Sequence, residues 1–217
     1  LELPPEFARR FALGLPEGSL SGRTSAQIRL TLARDGQGPA FRLRSGLEGL
    51  GLSIAQIGWR HPQASAGKLS LAGRLGAEAR VDEISLDASG LQATGEIRLT
   101  QGRFEAAHFS RVKIGSWLDV PLSFVARGAD QAPRIEIKGG TLDLGRTSLG
   151  AGLAPPAHAN QPGVNARQAS PIVAQLDRLV ISSGITLRGF RGSFQTRRGF
   201  EGSFTGSVNG AAPVRGQ

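Results

Sequence analysis

Ala26-Gln27-Ile28-Arg29-Leu30-Thr31-Leu32 alternates apolar and polar residues without a break. An extended chain points successive side chains to opposite faces, so this stretch reads as a strand with one oily and one wet face. The same pattern returns at Phe41-Arg42-Leu43-Arg44, Leu50-Gly51-Leu52-Ser53-Ile54, Lys68-Leu69-Ser70-Leu71-Ala72 and Glu96-Ile97-Arg98-Leu99. It continues through Leu118–Phe124, Arg134–Lys138 and Ile185–Arg188. Weaker cases included, the chain is expected to hold about fifteen short strands bounded by Gly, Pro, Asn or Asp. Its 31 glycines are about twice ordinary usage and sit at the ends of apolar runs, as turn residues do. Such spacing belongs to antiparallel meanders.

Three stretches break the alternation in the same way: Val81-Asp82-Glu83-Ile84-Ser85-Leu86, Phe109-Ser110-Arg111-Val112-Lys113-Ile114 and Leu176-Asp177-Arg178-Leu179-Val180-Ile181. Two adjacent polar residues interrupt each, which predicts a β-bulge that bends the strand while keeping its apolar side inward. Leu86-Asp87-Ala88-Ser89-Gly90-Leu91 and Ile181-Ser182-Ser183-Gly184-Ile185 echo each other as hairpins with a Gly turn. Pro4-Pro5 before Glu6–Leu13, with Gly14 beyond, predicts one short N-terminal helix. Residues 145–170 lose all periodicity and read as a flexible Gly/Ala/Pro loop. The expected organisation is a lead-in over 1–16, a first β portion over 17–144, this loop, and a continuing β portion over 171–217.

Composition excludes more than it assigns. The chain has no Cys and no Met, so disulfides, thiolate metal sites and thiol catalysis are ruled out. His61, His108 and His158 have no partner at metal-ligand spacing. No serine elbow has a strand before it and a helix after it, and Gly46–Gly51 lacks the spacing of a phosphate loop. Aromatics are only 6%, with no Tyr, which leaves little to hold a sugar. The formal net charge of +9 suggests a polyanion. Yet Arg29, Arg42, Arg44, Arg98, Lys113, Lys138 and Arg188 are interleaved with apolar residues rather than run together, which reads as a solvated outer face with a weak attraction to anionic headgroups. The expectation is a protein that is not an enzyme and has no cofactor and no nucleic-acid partner. No run reaches the roughly 18 apolar residues of a membrane span and no signal peptide opens the chain, so it reads as a segment of a longer protein whose anchor lies elsewhere.

A resemblance adds to this. Leu47–Ile54 running into Ile57-Gly58-Trp59-Arg60-His61-Pro62, then Phe109–Pro121 with Gly139–Leu144, and finally Leu176–Leu179, Gly189–Gly192 and Asn209–Val214 together resemble the AsmA-like proteins of Gram-negative bacteria, the YhdP type in particular. These are strand and turn phrases with no catalytic residue among them. The resemblance implies a periplasmic β-groove, part of an inner-membrane-anchored cell-envelope protein, implicated in lipid transport towards the outer membrane and in outer-membrane integrity.

The residues lead to a compatible expectation. A sheet with one apolar face must cover it with a second sheet, a helix or a ligand. With no amphipathic helix after residue 13, the sheet is expected to curl into an open groove, a bulged half-barrel binding phospholipid or another acyl lipid. Candidate lining residues are Leu30, Leu32, Leu43, Leu52, Ile54, Leu71, Leu86, Ile97, Leu99, Ile114, Phe124, Ile137, Leu144, Ile181 and Leu187. Alternatives are a closed β scaffold in outer-membrane protein assembly and a secreted β-rich adhesin or autotransporter passenger.

Overall fold

The computed structural model describes residues 2–3, 19–32, 38–54, 59–76, 79–128, 131–146, 170–195 and 201–217. Strands make up 73% of the structure, and no helix of seven residues or more occurs among the described residues. The fold class is all-β, mainly antiparallel, curled and not closed into a barrel. The expected helix over residues 5–13 and nearly all of the 145–170 loop lie outside the described residues. The chain divides into two compact units, Leu1–Phe109 and Ser110–Gln217. The division falls inside a strand, Arg103–Ile114.

The first unit contains β1 (Glu2–Leu3), β2 (Leu20–Gly22), β3 (Thr24–Thr31), β4 (Ala40–Ser45), β5 (Leu50–Ile54), β6 (Trp59–His61), β7 (Gly67–Arg74), β8 (Arg80–Ala88), β9 (Leu91–Thr100) and the start of β10 (Arg103–Ile114). Its main sheet runs β1-β3-β4-β7-β8-β9-β10, while β2, β5 and β6 form a separate three-stranded sheet. The turns at Ser89-Gly90 (φ 46 and 80) and Gln101-Gly102 (φ 52 and 72) have both central residues left-handed. That geometry matches the natural twist of a hairpin. The bulge expected at Asp82-Glu83 is present: the register shifts between Val81 and Ile84 against β9, and between Ala72 and Gly73 against β7. A Cβ on Gly73 would overlap the Arg80 carbonyl oxygen, so this bend requires glycine.

The second unit holds the end of β10, then β11 (Leu118–Val125), β12 (Arg134–Lys138), β13 (Thr141–Asp143), β14 (Pro171–Ser182), β15 (Ile185–Gln195), β16 (Glu201–Val208) and β17 (Ala212–Gly216). The β14–β15 hairpin turns at Ser183-Gly184, as its echo of the β8–β9 hairpin predicts. One feature departs from a meander. β12 and β13 both pair antiparallel with β11 and both pair parallel with β14. They act as one strand interrupted by Gly139-Gly140, whose φ values are 104 and 84. The Gly140 carbonyl accepts from both Asp177 N (3.0 Å) and Arg178 N (3.2 Å), so the polar doublet expected to bulge β14 does so opposite the glycines. Asp143 lies beside Val180, and β14 starts nine residues earlier at Pro171, roughly 30 Å away along the strand.

Candidate functional site

Pairing register decides which side chains share a face. In the first unit Ile28, Leu43, Leu71 and Ile84 form one cross-strand row, and Leu30, Phe41, Gly73, Val81 and Ile97 form the next. A third row runs through Ala26, Ser45, Leu69, Leu86 and Ala93. Of the expected lining residues, Leu30, Leu43, Leu71, Leu86 and Ile97 therefore belong to a single apolar surface. Strand alternation carries Leu99 onto that face, and Leu32 follows one residue beyond β3.

Leu52 and Ile54 are elsewhere. They lie in the three-stranded sheet, Leu52 beside both Leu20 and His61, and Ile54 beside Trp59. This small sheet holds one end of the apolar face shut. Trp59 Nε1 donates to the Ser89 carbonyl at 3.1 Å, and His61 Nδ1 lies 2.7 Å from Ser89 Oγ, so both rings are tied to the β8–β9 turn. The two rings stack with centroids 6.4 Å apart. His61 is 0% exposed, and Leu47, Ala88 and Leu91 are buried around the same end. Neither Trp59 nor Ser89 figured among the expected site residues. The alternation Trp59-Arg60-His61 marks a strand, but its partner turn lies about thirty positions away.

From this sealed end the face opens along β3. Ala26 is 6% exposed, Ile28 38%, Leu30 59% and Leu32 80%. Exposed aliphatic side chains that are contiguous, rather than scattered singly, mark binding surfaces. Leu43 and Ile97 on the same face are buried by neighbouring side chains and serve the unit's own packing.

The second unit has its own apolar face. Rows run Leu122–Ile137–Ala174–Gly192–Phe204, Phe124–Ile135–Ile172–Phe194, and Leu118–Leu142–Leu179–Leu187–Val208. Phe124, Ile137 and Leu187 are thus on one surface, and Ile114 is buried at the end of β10. Leu144, in a 3-10 turn after β13, and Ile181, near the β14–β15 turn, are exposed and belong to none of these rows. Here the sheet covers itself. Phe190 stacks on Phe194 and Phe204 with centroids 6.2 and 5.7 Å away. The Phe194 ring lies over Gly192 and the Phe204 ring over Gly216, where any Cβ would overlap them.

No family model, curated protein or solved structure matches the chain. What the surfaces can do follows from their own chemistry. Among the described residues no group of three or more His, Cys, Asp or Glu side chains is placed to hold a metal, and no helix is long and apolar enough to cross a membrane. The polar residues at the bulges have structural partners. Asp82 accepts from Arg80 at 2.6 Å, and Asp177 Oδ2 accepts from Gly140 N at 2.7 Å. Arg111 grips Asp119 through two hydrogen bonds of 2.8 and 2.6 Å. That grip, with Lys113 assisting, holds the Asp119 carboxyl below its ordinary range. Asp82 and Asp177 lie at the bends of β8 and β14, and the Arg111–Asp119 pair ties β10 to β11.

Proposed function

We propose that the apolar face of the first unit binds the acyl chains of a lipid, as part of a non-catalytic, periplasmic lipid-transport protein of the AsmA-like kind. The observation that carries this reading is the exposure gradient along β3, from a sealed end at Trp59 and His61 to an uncovered row at Ile28, Leu30 and Leu32. Exposing a sixteen-carbon chain to water costs roughly 12 kcal/mol, at about 0.8 kcal/mol per methylene. The exposed Ile28, Leu30 and Leu32, flanked by the half-buried Phe41, Leu71 and Ile84 of neighbouring strands about 4.8 Å apart, offer a surface that removes part of that cost. Contacts of this kind are non-directional, so a chain can slide along them while its headgroup stays in water at the open side.

The strand and turn phrases that resemble the AsmA-like family and the exposed aliphatic row of β3 support the same reading. The second unit favours another emphasis. Its face is filled by Phe190, Phe194 and Phe204, which suits a closed scaffold better than an acyl site, so the lipid is assigned to the first unit. The test is organic extraction of protein purified without detergent, followed by mass spectrometry. Co-purifying phospholipid or fatty acid near one equivalent is expected. Folded protein that carries none, and takes none up from added lipid, would overturn the assignment.

A further inference from the structure

In sequence the cations of the second unit are scattered, but the register gathers them. Arg178 on β14 stands directly opposite Arg188 on β15, with Cβ atoms about 5 Å apart. One row further on, Arg191 on β15 is followed by Thr205 on β16 and Arg215 on β17. All four are exposed, and none has a salt-bridge partner among the described residues. Like charges placed directly opposite destabilise a sheet. Across β14 to β17 the carboxylates among the described residues are Asp177, already bonded to Gly140 N, and Glu201 beside Gln195. In the first unit Asp82 and Glu96 neutralise the opposed Arg80 and Arg98, while Arg29 faces Arg42 in a single pair rather than in a patch of four.

Arg191 and Arg215, though not Arg178 or Arg188, line a shallow open depression of about 480 Å³ together with Gln175, Ser193, Ser203 and Thr205. By strand alternation it lies on the face opposite the stacked phenylalanines. We infer that this face of the second unit docks on an anionic bilayer surface, with Arg178, Arg188, Arg191 and Arg215 meeting lipid phosphates. Two observations favour a membrane over nucleic acid. Phe190, Phe194 and Phe204, the aromatics that could stack on unpaired bases, all point to the other face. And the cations spread over a row of strands, with no α-helix among the described residues beside them to enter a groove.

The inference does not rest on the acyl-binding reading, since it uses a different face in the other unit. Failure to extract a lipid leaves it standing, and failure here leaves the acyl site standing. The test is flotation of the whole chain with vesicles of phosphatidylcholine alone, or with about one-third phosphatidylglycerol, at about 0.05 and 0.5 M salt. Binding to the anionic vesicles at low salt and release at high salt are expected. The variant R178Q/R188Q/R191Q/R215Q should bind several hundredfold more weakly, at roughly fivefold per arginine, and R191Q/R215Q about 25-fold more weakly. Circular dichroism should show both variants folded. Equal binding to phosphatidylcholine alone, or undiminished binding by the folded double variant, would overturn the inference. Preferential capture of a duplex oligonucleotide over the anionic vesicles would replace it with a nucleic-acid surface.

Discussion

Replacing Leu30 by Asp separates the acyl site from the core, because Leu30 and Leu43 lie on one face in adjacent rows but differ in exposure, at 59% and 2%. Fully burying a leucine contributes about 1.5–3 kcal/mol, so the two-fifths of Leu30 that is covered contributes about 1 kcal/mol. Leu30→Asp should therefore lower the melting temperature by only about 4 °C. The same carboxylate at position 43 would be buried without a partner, at a cost of several kcal/mol, and Leu43→Asp should not fold. Towards ligand the ranking reverses. An aspartate at position 30 denies an acyl chain about three methylene contacts, or about 2.4 kcal/mol, which is about fiftyfold in affinity. Thermal melts by circular dichroism and titration with a fluorescent fatty acid give the two numbers on the same samples. A folded Leu30→Asp protein that binds the fatty acid as tightly as the parent would refute the reasoning. So would a Leu30→Asp protein that fails to fold.

Two further outcomes test how the units are held. Ser89→Ala removes the hydroxyl beside His61 Nδ1, and His61 Nε2 is already buried without a hydrogen-bond partner. A loss of about 1–3 kcal/mol in the first unit is expected, read from denaturant melts followed by tryptophan fluorescence. Gly140→Ala forces a Cβ into the Asp119 carbonyl oxygen and to 2.9 Å from Val120 Cα, at a φ of 84. Several kcal/mol should be lost, and amide hydrogen exchange should speed up across β11 and β14 while the first unit keeps its protection.

Strand positions and bulges were legible because both are local patterns. Ile28-Arg29-Leu30 reveals its period over a few residues, and Asp177-Arg178 reveals a bulge by interrupting one. What escaped is what depends on distant pairing. Leu50–Ile54 alternates like any other strand, and nothing nearby says that it joins Leu20 and Trp59 in a separate sheet rather than extending the large one. Arg178, Arg188, Arg191 and Arg215 appear dispersed until four strands are aligned. The parallel joint was hidden for the same reason, since Ile135 meets Ile172 across a stretch with no pattern of its own. Of the candidate lining residues, those set on one face by register could be grouped only once their partners were known. Leu144 and Ile181, at a strand exit and a hairpin turn, passed a test of composition that does not ask where a strand ends.

That parallel joint also sets the order of assembly. The β10–β11 pair and the hairpins built from β14 to β17 close between near neighbours and can form in microseconds, while β12 must wait for a partner that returns only after a long excursion. Closing that loop costs entropy before any contact rewards it. Until it closes, Ile135 and Ile137 lie along an unpaired backbone edge, the kind of surface on which neighbouring chains aggregate. Refolding of the second unit should therefore be limited by this late step, and crowded or hot conditions that lengthen the wait should divert the chain into aggregates.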